Sequence, residues 1–246
     1  MGLLCLLFTQ FATAQSPAQS GRITGIVLPI QEVTISSSIA GIVENIDALE
    51  GEELSANELI LKLNDASDLL NIQRYQQVLE KRLYDNDSIQ QLYNEEIISE
   101  GQALESSIEL SVAQLDLKQA ELQQQRKLIR TPFSGVLAKL YVDTGEWVNQ
   151  GDPVADFINT KQVIVRLVIA PSFAKGLQLG DSFQVFTDAT SLEGSTFGIV
   201  DFIDPIIDAQ SGLRRIHLLI ENEDYNLISG QRVFASVSER NSATNP

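Results

Sequence analysis

Three aspartates, Asp201, Asp204 and Asp208, are spaced by three and four residues, an interval that stacks carboxylates on one helix face and raises the question of a cation site. Pro205 stands inside the run and forbids a continuous helix there, so a turn with solvated carboxylates is expected instead. The sequence holds one histidine, His217, one cysteine, Cys5, and one methionine, Met1. That leaves no Cys/His metal set, no disulfide framework and no Cys–His or Ser–His pair for nucleophilic catalysis. His217 lies between Ile216 and Leu218 in a β-rich stretch, where a satisfied or surface imidazole is expected. No Gly-rich loop of the kind that cradles phosphates is present. The residues therefore point to a non-enzyme with no catalytic, cofactor or metal site.

In composition, the 246 residues carry 33 Asp plus Glu against 17 Lys plus Arg, a formal charge of -16. A surface this acidic repels phosphate backbones and argues against nucleic acid as a partner. With 43% hydrophobic residues the chain has the composition of a folded protein. Leu3 to Ala14 form an apolar run ending in Ala12-Thr13-Ala14, a small-x-small pattern, before the chain turns polar. Residues 1–14 are accordingly expected to be a secretory signal peptide that carries Cys5 away, and residues 15–34 an N-terminal segment with a first strand.

An internal repeat organises the middle of the chain. At a constant offset of 94 positions, Ile35 to Asn64 runs in step with Ile129 to Ile158, placing Ile35, Gly41, Gly51 and Glu52 on Ile129, Gly135, Gly145 and Glu146. Apolar positions agree as well: Val43 with Leu137, Ile46 with Leu140, Leu54 with Val148, Ile60 with Val154. Each copy reads as short strands broken by glycine turns at Gly41, Gly51, Gly135 and Gly145. Where the later copy has Gly151, the earlier has Asn57, a residue that tolerates the left-handed region. Neither copy buries both faces alone, so residues 35–65 and 129–159 are expected to form one quasi-symmetric sandwich.

Between the copies, residues 66–128 contain no proline and one glycine, Gly101. Leu69, Ile72, Leu79 and Leu83 suit one helix, while Ile108, Leu115, Leu122 and Ile129 recur every seven residues and predict a coiled-coil seam on a second. Gln76, Gln119 and Arg126 interrupt that seam. Asp65 or Ser67 is suited to cap the first helix, the reversal falls near Tyr93-Asn94, and Asn94 or Ser99 caps the return. Arms of about 28 to 34 residues give a rod of roughly 40 to 50 Å. Beyond Asn159 the pattern is strand-like, with turn signals at Pro171, Gly180-Asp181, Asp204-Pro205 and Ser211-Gly212. Residues 160–237 therefore read as a small antiparallel β-barrel, with Arg22 to Leu28 as its first strand and 238–246 as a tail. The fold class is mainly β with an α-helical coiled-coil hairpin.

This order of parts resembles the periplasmic adaptor, or membrane fusion, proteins of bacterial tripartite efflux pumps, the haemolysin-D-like family, and most of all its RND-type adaptors. The motifs that carry the resemblance are Ile39-Ala40-Gly41-Ile42-Val43 with Leu49-Glu50-Gly51, and Ile129-Arg130-Thr131-Pro132-Phe133-Ser134-Gly135-Val136 with Thr144-Gly145-Glu146. A third is Gly198-Ile199-Val200-Asp201-Phe202-Ile203-Asp204-Pro205 with Ile228-Ser229-Gly230-Gln231. The resemblance implies that each half-motif is similar to half of a lipoyl or biotinyl carrier domain. The carrier's modified lysine would stand on the turn that the hairpin replaces, which leaves Lys62 and Lys118 as solvated charges and no cofactor.

The resemblance also implies a non-catalytic role in the periplasm, linking an inner-membrane transporter, RND-type favoured, to an outer-membrane channel as a homo-oligomeric ring. An ABC-type or type I secretion exporter is the alternative transporter, and a periplasmic ligand-binding module the alternative role. At the hairpin tip the family has an Arg, a Leu four residues later and a Ser seven further on; Leu92 and Ser99 match, while Ser88 stands at the Arg position and removes a bidentate donor. Trp147 is expected in core or subunit-contact packing. The family's further membrane-proximal β-domain has no counterpart in the few residues after Val237, so the resemblance assigns transporter contact to the barrel.

Overall fold

The structure, a computed structural model, describes residues 23–187, 195–224 and 226–237. The expected signal peptide and C-terminal tail lie outside the described residues. The chain is mostly β-strand with one helical hairpin, and it divides into two compact units. Among the described residues, one comprises Pro29–Gln162 with Asn222–Asn226; the other takes residues 23–28, Val163–Glu221 and residues 227–237.

In the first unit the strands are the later part of β1 (Ile23–Ser36), then β2 (Gly41–Ile46), β3 (Glu53–Leu54) and β4 (Leu59–Leu63). The helices α1 (Ala66–Asn94) and α2 (Glu100–Gln125) come next, and then β5 (Leu128–Arg130), β6 (Gly135–Leu140), β7 (Trp147–Val148) and the first part of β8 (Pro153–Ile169). One sheet has the order β5-β4-β2-β7, while β3, β6 and β8 pair in sequence in another. Between them lies one core containing Val43, Leu54, Ile60, Leu61 and Leu63 from the first half-motif and Leu137, Val148, Val154, Ala155 and Phe157 from the second. Two distant stretches of chain thus share one hydrophobic interior, where each alone would leave an apolar face in water.

The second unit is a curled sheet in the order β1-β12-β9-β10-β11-β8, with β9 (Ser182–Phe186), β10 (Thr196–Ile207), β11 (Arg214–Glu221) and β12 (Arg232–Val237). β1 also pairs with β8. A short helix, α3 (Pro171–Ala174), begins on Pro171, whose fixed φ suits a first helical position. Residues of alternating strand positions fill the interior: Val163, Val165, Leu167 and Ile169 from β8, Ile216, Leu218 and Ile220 from β11. β8 is a single strand through Asn159, where the sequence pattern puts a boundary. The Asn159-Thr160-Lys161-Gln162 stretch contains neither glycine nor proline, so nothing in it breaks an extended backbone.

Candidate functional site

The hairpin leaves the sandwich at a root whose geometry depends on how the sandwich is built, by reciprocal strand exchange. Gly41 pairs with Val148 and Ile42 with Trp147; at the offset of 94, Gly135 pairs with Leu54 and Val136 with Glu53. The turn contacts repeat in the same way. Gly51 N–H donates to the Leu137 carbonyl and Gly145 N–H to the Val43 carbonyl, each at 2.8 Å. Asn57 N–H reaches the Thr131 carbonyl at 2.9 Å, and Gly151 N–H the Ser37 carbonyl at 2.8 Å. Ser37 and Thr131, the residues that accept these bonds, are themselves equivalent and both buried. The backbone is left-handed at Gly51, Gly145 and Gly151, with φ of 85°, 89° and 91°, and at Asn57, with φ 65°. These are positions where a side chain is strained and where Asn is the common exception.

Gly41 and Gly135 play another part than the turns expected of them. Each opens a strand, β2 or β6, at a buried position. A Cβ on Gly135 would collide with the Ile158 carbonyl oxygen, while one on Gly41 would find its nearest neighbour in the Lys127 ammonium at 3.2 Å.

At the root, β4 and β5 pair antiparallel, with Lys62 opposite Leu128, so the two stems of the hairpin are joined as they leave the sandwich. Asp65, the residue before α1, is buried, and its side chain does not cap the helix. Its carboxylate instead accepts from Lys62 Nζ at 2.9 Å and from the Gln124 amide at 2.7 Å, tying the start of α1 to the end of α2. Burial pushes the Asp65 carboxyl upward, but the Gln124 hydrogen bond and the Lys62 ammonium outweigh it and hold the group below the usual carboxylate range. Lys62 also contacts Glu44 at 3.2 Å, and its two carboxylates, Asp65 foremost, raise its pKa. Lys62 is therefore a clamp at the hairpin root rather than the solvated charge expected; Lys118 is largely exposed.

Along the hairpin the helices meet through a different seam from the one the sequence suggests. Ala103, Ala113 and Ala120 are the buried residues of α2, with Ser106, Leu110, Leu117 and Gln124 half-buried between them, a spacing of three and four throughout. Facing positions on α1 are Ile72, Tyr75, Leu79, Arg82, Asn86 and Ile89, all half-buried. Ile108, Leu115 and Leu122 lie on the opposite, exposed side of α2, and Leu69 and Leu83 of α1 are also exposed. Small alanines let the helices approach closely, so the tightest packing falls where hydrophobic bulk is least. Arg82 and Glu109 bridge the helices at 2.6 Å, and Asn86 Oδ1 is shielded without a hydrogen-bond partner.

The tip reverses over Glu95 to Ile98, with Glu96 at φ 59°. Ser99 caps α2 in a capping box with Gln102. Leu92 is exposed near the tip, beside Tyr93 and Ile97, and the Ser88 hydroxyl donates back to the Tyr84 carbonyl at 3.0 Å. Ser88, Leu92 and Ser99 thus fall at one end of the hairpin, but the two hydroxyls are engaged within the hairpin itself.

The remaining residues singled out in the sequence are structural. Asp204 pairs with Arg215 at 2.8 Å and accepts from Ile206 N–H; Asp208 accepts from the Ser211 hydroxyl and amide and from Gln210 N–H. Those bonds engage both carboxylates, and Asp201 is exposed. Among the described residues no three His, Cys, Asp or Glu side chains converge. His217 sits opposite Phe202 with its ring 5.0 Å away; burial keeps its pKa below the ordinary imidazole value and Nε2 has no partner. Trp147 is 58% exposed, which removes the core reading, and its indole N–H donates to Asn149. One feature escaped sequence reasoning: an open cleft of about 670 Å³ lined by Ile46, Ala48, Leu49 and Glu50 and by their counterparts Leu140, Tyr141, Val142 and Asp143, at the offset of 94 apart from Tyr141 and Glu50. The repeat that is legible in the strands thus also builds this cleft.

The fold superposes on a chimera of MacA carrying the α-hairpin domain of Pseudomonas aeruginosa MexA with a TM-score of 0.77, at 15% identity over 87% of this chain and 78% of that one. The chain has the fold of the periplasmic adaptor proteins. A putative efflux transporter from Bacteroides eggerthii gives a TM-score of 0.70 at 17% identity, covering 95% of this chain and 75% of that one. The membrane fusion protein Spr0693 of Streptococcus pneumoniae also gives 0.70, at 14% identity over 90% of this chain and all (100%) of that one. No protein-family model matches the chain. In sequence it is 25% identical over 211 residues to an uncharacterized protein of Haemophilus influenzae, covering 84% of this chain and 54% of that protein, so it spans about half the length of this curated relative. Among the described residues no helix is long and apolar enough to cross a membrane.

Proposed function

We propose that this protein is a periplasmic adaptor that links an inner-membrane export transporter to an outer-membrane channel and performs no chemistry of its own. The observation that carries the reading is the insertion of a two-helix rod into the turn of a two-fold sandwich. In a lipoyl-like carrier that turn would present a modified lysine; here Lys62 and Asp65 are spent on fastening the rod. Residues 35–65 and 129–159 serve as the split lipoyl-like body and 160–237 as a closed barrel. Residues 66–128 are the reaching element. Its tip, with Leu92 and Ser99 and with Ser88 in place of an arginine, meets the channel.

In this reading the chain is exported by the signal peptide at 1–14 and associates with the inner membrane through its transporter. An RND-type transporter is favoured and several copies form a ring. The energy for export comes from the transporter. The test is to replace Ala66–Gln125 with a short turn joining β4 to β5, leaving both stems paired. Export of the transporter's drug substrates is expected to stop while transporter abundance is unchanged; ordinary drug tolerance in that strain would refute the role.

A further inference from the structure

The open cleft of about 670 Å³ in the sandwich falls within the size range of small-molecule sites, and the fastening of the hairpin makes no use of it. Ala48 and Val142, equivalent at the offset of 94, are only 1% and 7% exposed and give it an aliphatic lining. Leu49 beside them is 74% exposed, so a large apolar side chain of that lining stands in water. Tyr141 adds an aromatic ring, over which the Lys139 ammonium sits 4.4 Å from the centroid. Backbone bonds hold the walls in place: Ala48 N–H donates to the Ile60 carbonyl at 3.3 Å and Tyr141 N–H to the Val154 carbonyl at 2.8 Å.

Charge decides which ligand suits this surface. The two loops carry Asp47, Glu50, Glu52, Asp143 and Glu146, and neither Lys nor Arg falls within 46–52 or 140–146. Among the described residues none of these carboxylates forms an ion pair. Glu52 and Glu146 are engaged within their own loops, accepting from the N–H groups of Leu49 and Asp143. Glu50 and Asp143, which line the cleft, are freer. Glu50 Oε1 accepts from Leu140 N–H at 2.7 Å, while Glu50 Oε2 and both Asp143 oxygens have no donor among the described residues. A neutral donor shapes a loop without cancelling its charge, so the cleft keeps a negative potential beside its apolar lining. The formal charge of -16 on the whole chain adds to that potential. Because no three carboxylates converge among the described residues, an inorganic divalent cation would be short of ligands.

We propose that this cleft binds an organic cation with an apolar body, its charge set against Glu50 and Asp143 and its apolar part against Leu49, Val142 and the Tyr141 ring. A small hydrated ammonium would answer the charge and leave the aliphatic lining wet; an apolar anion would fill the lining against the charge. Each half of the sandwich supplies one of the two carboxylates, so the site exists only where both half-motifs are folded together. The inference goes beyond the linking role and does not rest on it, since the chain by itself is enough to bind.

The test is equilibrium dialysis of the purified full chain with tetraphenylphosphonium and tetraphenylborate, a cation and an anion of nearly the same size and shape. Tetraphenylphosphonium is expected to bind saturably, and tetraphenylborate and tetramethylammonium, which lack the right charge or the apolar body, about tenfold more weakly or worse. Glu50→Gln with Asp143→Asn keeps an acceptor for Leu140 N–H and is expected to weaken tetraphenylphosphonium binding about fivefold to tenfold. Glu105→Gln with Asp116→Asn removes the same charge from exposed positions on α2 and is expected to weaken it less than about twofold. Leu49→Ser, at an exposed position, is expected to weaken it about threefold. Four results overturn the proposal: no saturable binding of tetraphenylphosphonium; tetraphenylborate bound as tightly, which leaves only an apolar surface; equal losses from the two double variants, which reduces the effect to net charge; or an unchanged affinity with Leu49→Ser, which takes the cleft out of the contact.

Discussion

The two half-motifs of the sandwich share a backbone and differ in what their side chains do with it. Leu61 and Ala155, Leu63 and Phe157 pair with Ile46 and Leu140, Val43 and Leu137 at equivalent places. Between them, Lys62 clamps Glu44 and Asp65 under the hairpin, whereas its counterpart Asp156 accepts from the Tyr141 hydroxyl at 2.6 Å and the Thr34 hydroxyl at 2.7 Å. The flanks diverge too: Ile42 lies opposite exposed Trp147, while Val136 lies opposite Glu53, which pairs with Lys161 at 2.6 Å. Hydrogen-bonded register and buried apolar positions constrain both copies alike, and the side chains outside that network were free to take up separate work.

The sharpest way to break the equivalence is at its glycines. Gly135→Ala forces a Cβ into the Ile158 carbonyl and is expected to cost about 1–3 kcal/mol in denaturant unfolding, whereas Gly41→Ala, with room beside a flexible lysine, stays below about 1 kcal/mol. Equal losses would mean that the two strand starts are packed alike. Next is the root. Asp65→Ala strands Lys62 and Gln124 and is expected to lower stability by about 1–3 kcal/mol, while Asp156→Ala, on the more exposed side, costs less.

Acid should weaken every carboxylate that is held low, Asp65 and Asp156 as well as Asp204 and Asp208. A carboxylate held below its unfolded pKa contributes stability that is complete above that value, near pH 4, and lost as the pH falls through the folded one. The parent chain is therefore expected to lose stability below about pH 4, and Asp65→Asn to lose less of it over that window, as read by thermal melts from about pH 6 to about pH 2. A smaller effect belongs to the left-handed turns. Gly51→Ala and Gly145→Ala are each expected to cost about 1–2 kcal/mol, matched between halves because both have open space around the added methyl. Smallest of all, Asn57→Gly and Gly151→Asn are expected to shift stability by only a few tenths of a kcal/mol, since each installs what its counterpart already uses.

The repeat is legible in the sequence because it rests on residues with few alternatives: glycine or Asn at positive φ, and aliphatic side chains in a shared interior. The start of α2 is legible for the same reason, Ser99 with Gln102 being a capping pattern that competes with little else. The seam of the hairpin is not. Periodicity is read from large apolar side chains, and in α2 those face outward while Ala103, Ala113 and Ala120, barely hydrophobic by sequence measures, make the contact. Asp65 reads as a cap by its type and place, but a carboxylate within reach of an ammonium and a primary amide binds those first. The cleft between residues 46–50 and 140–143 depends on how two loops face each other, which no spacing along one loop encodes.

The pairing of β4 with β5 has a consequence for how such a protein can change. Because Leu63 N–H bonds the Lys127 carbonyl at 2.8 Å, the sixty-odd residues between them begin and end at one stapled point, and the sandwich experiences them as a closed loop of fixed footprint. Seven residues added to each helix would carry the tip about 10 Å farther while every strand kept its neighbours. Reach and foundation are thereby separate quantities in this chain, and the distance it spans can be rewritten without reopening the question of whether it folds.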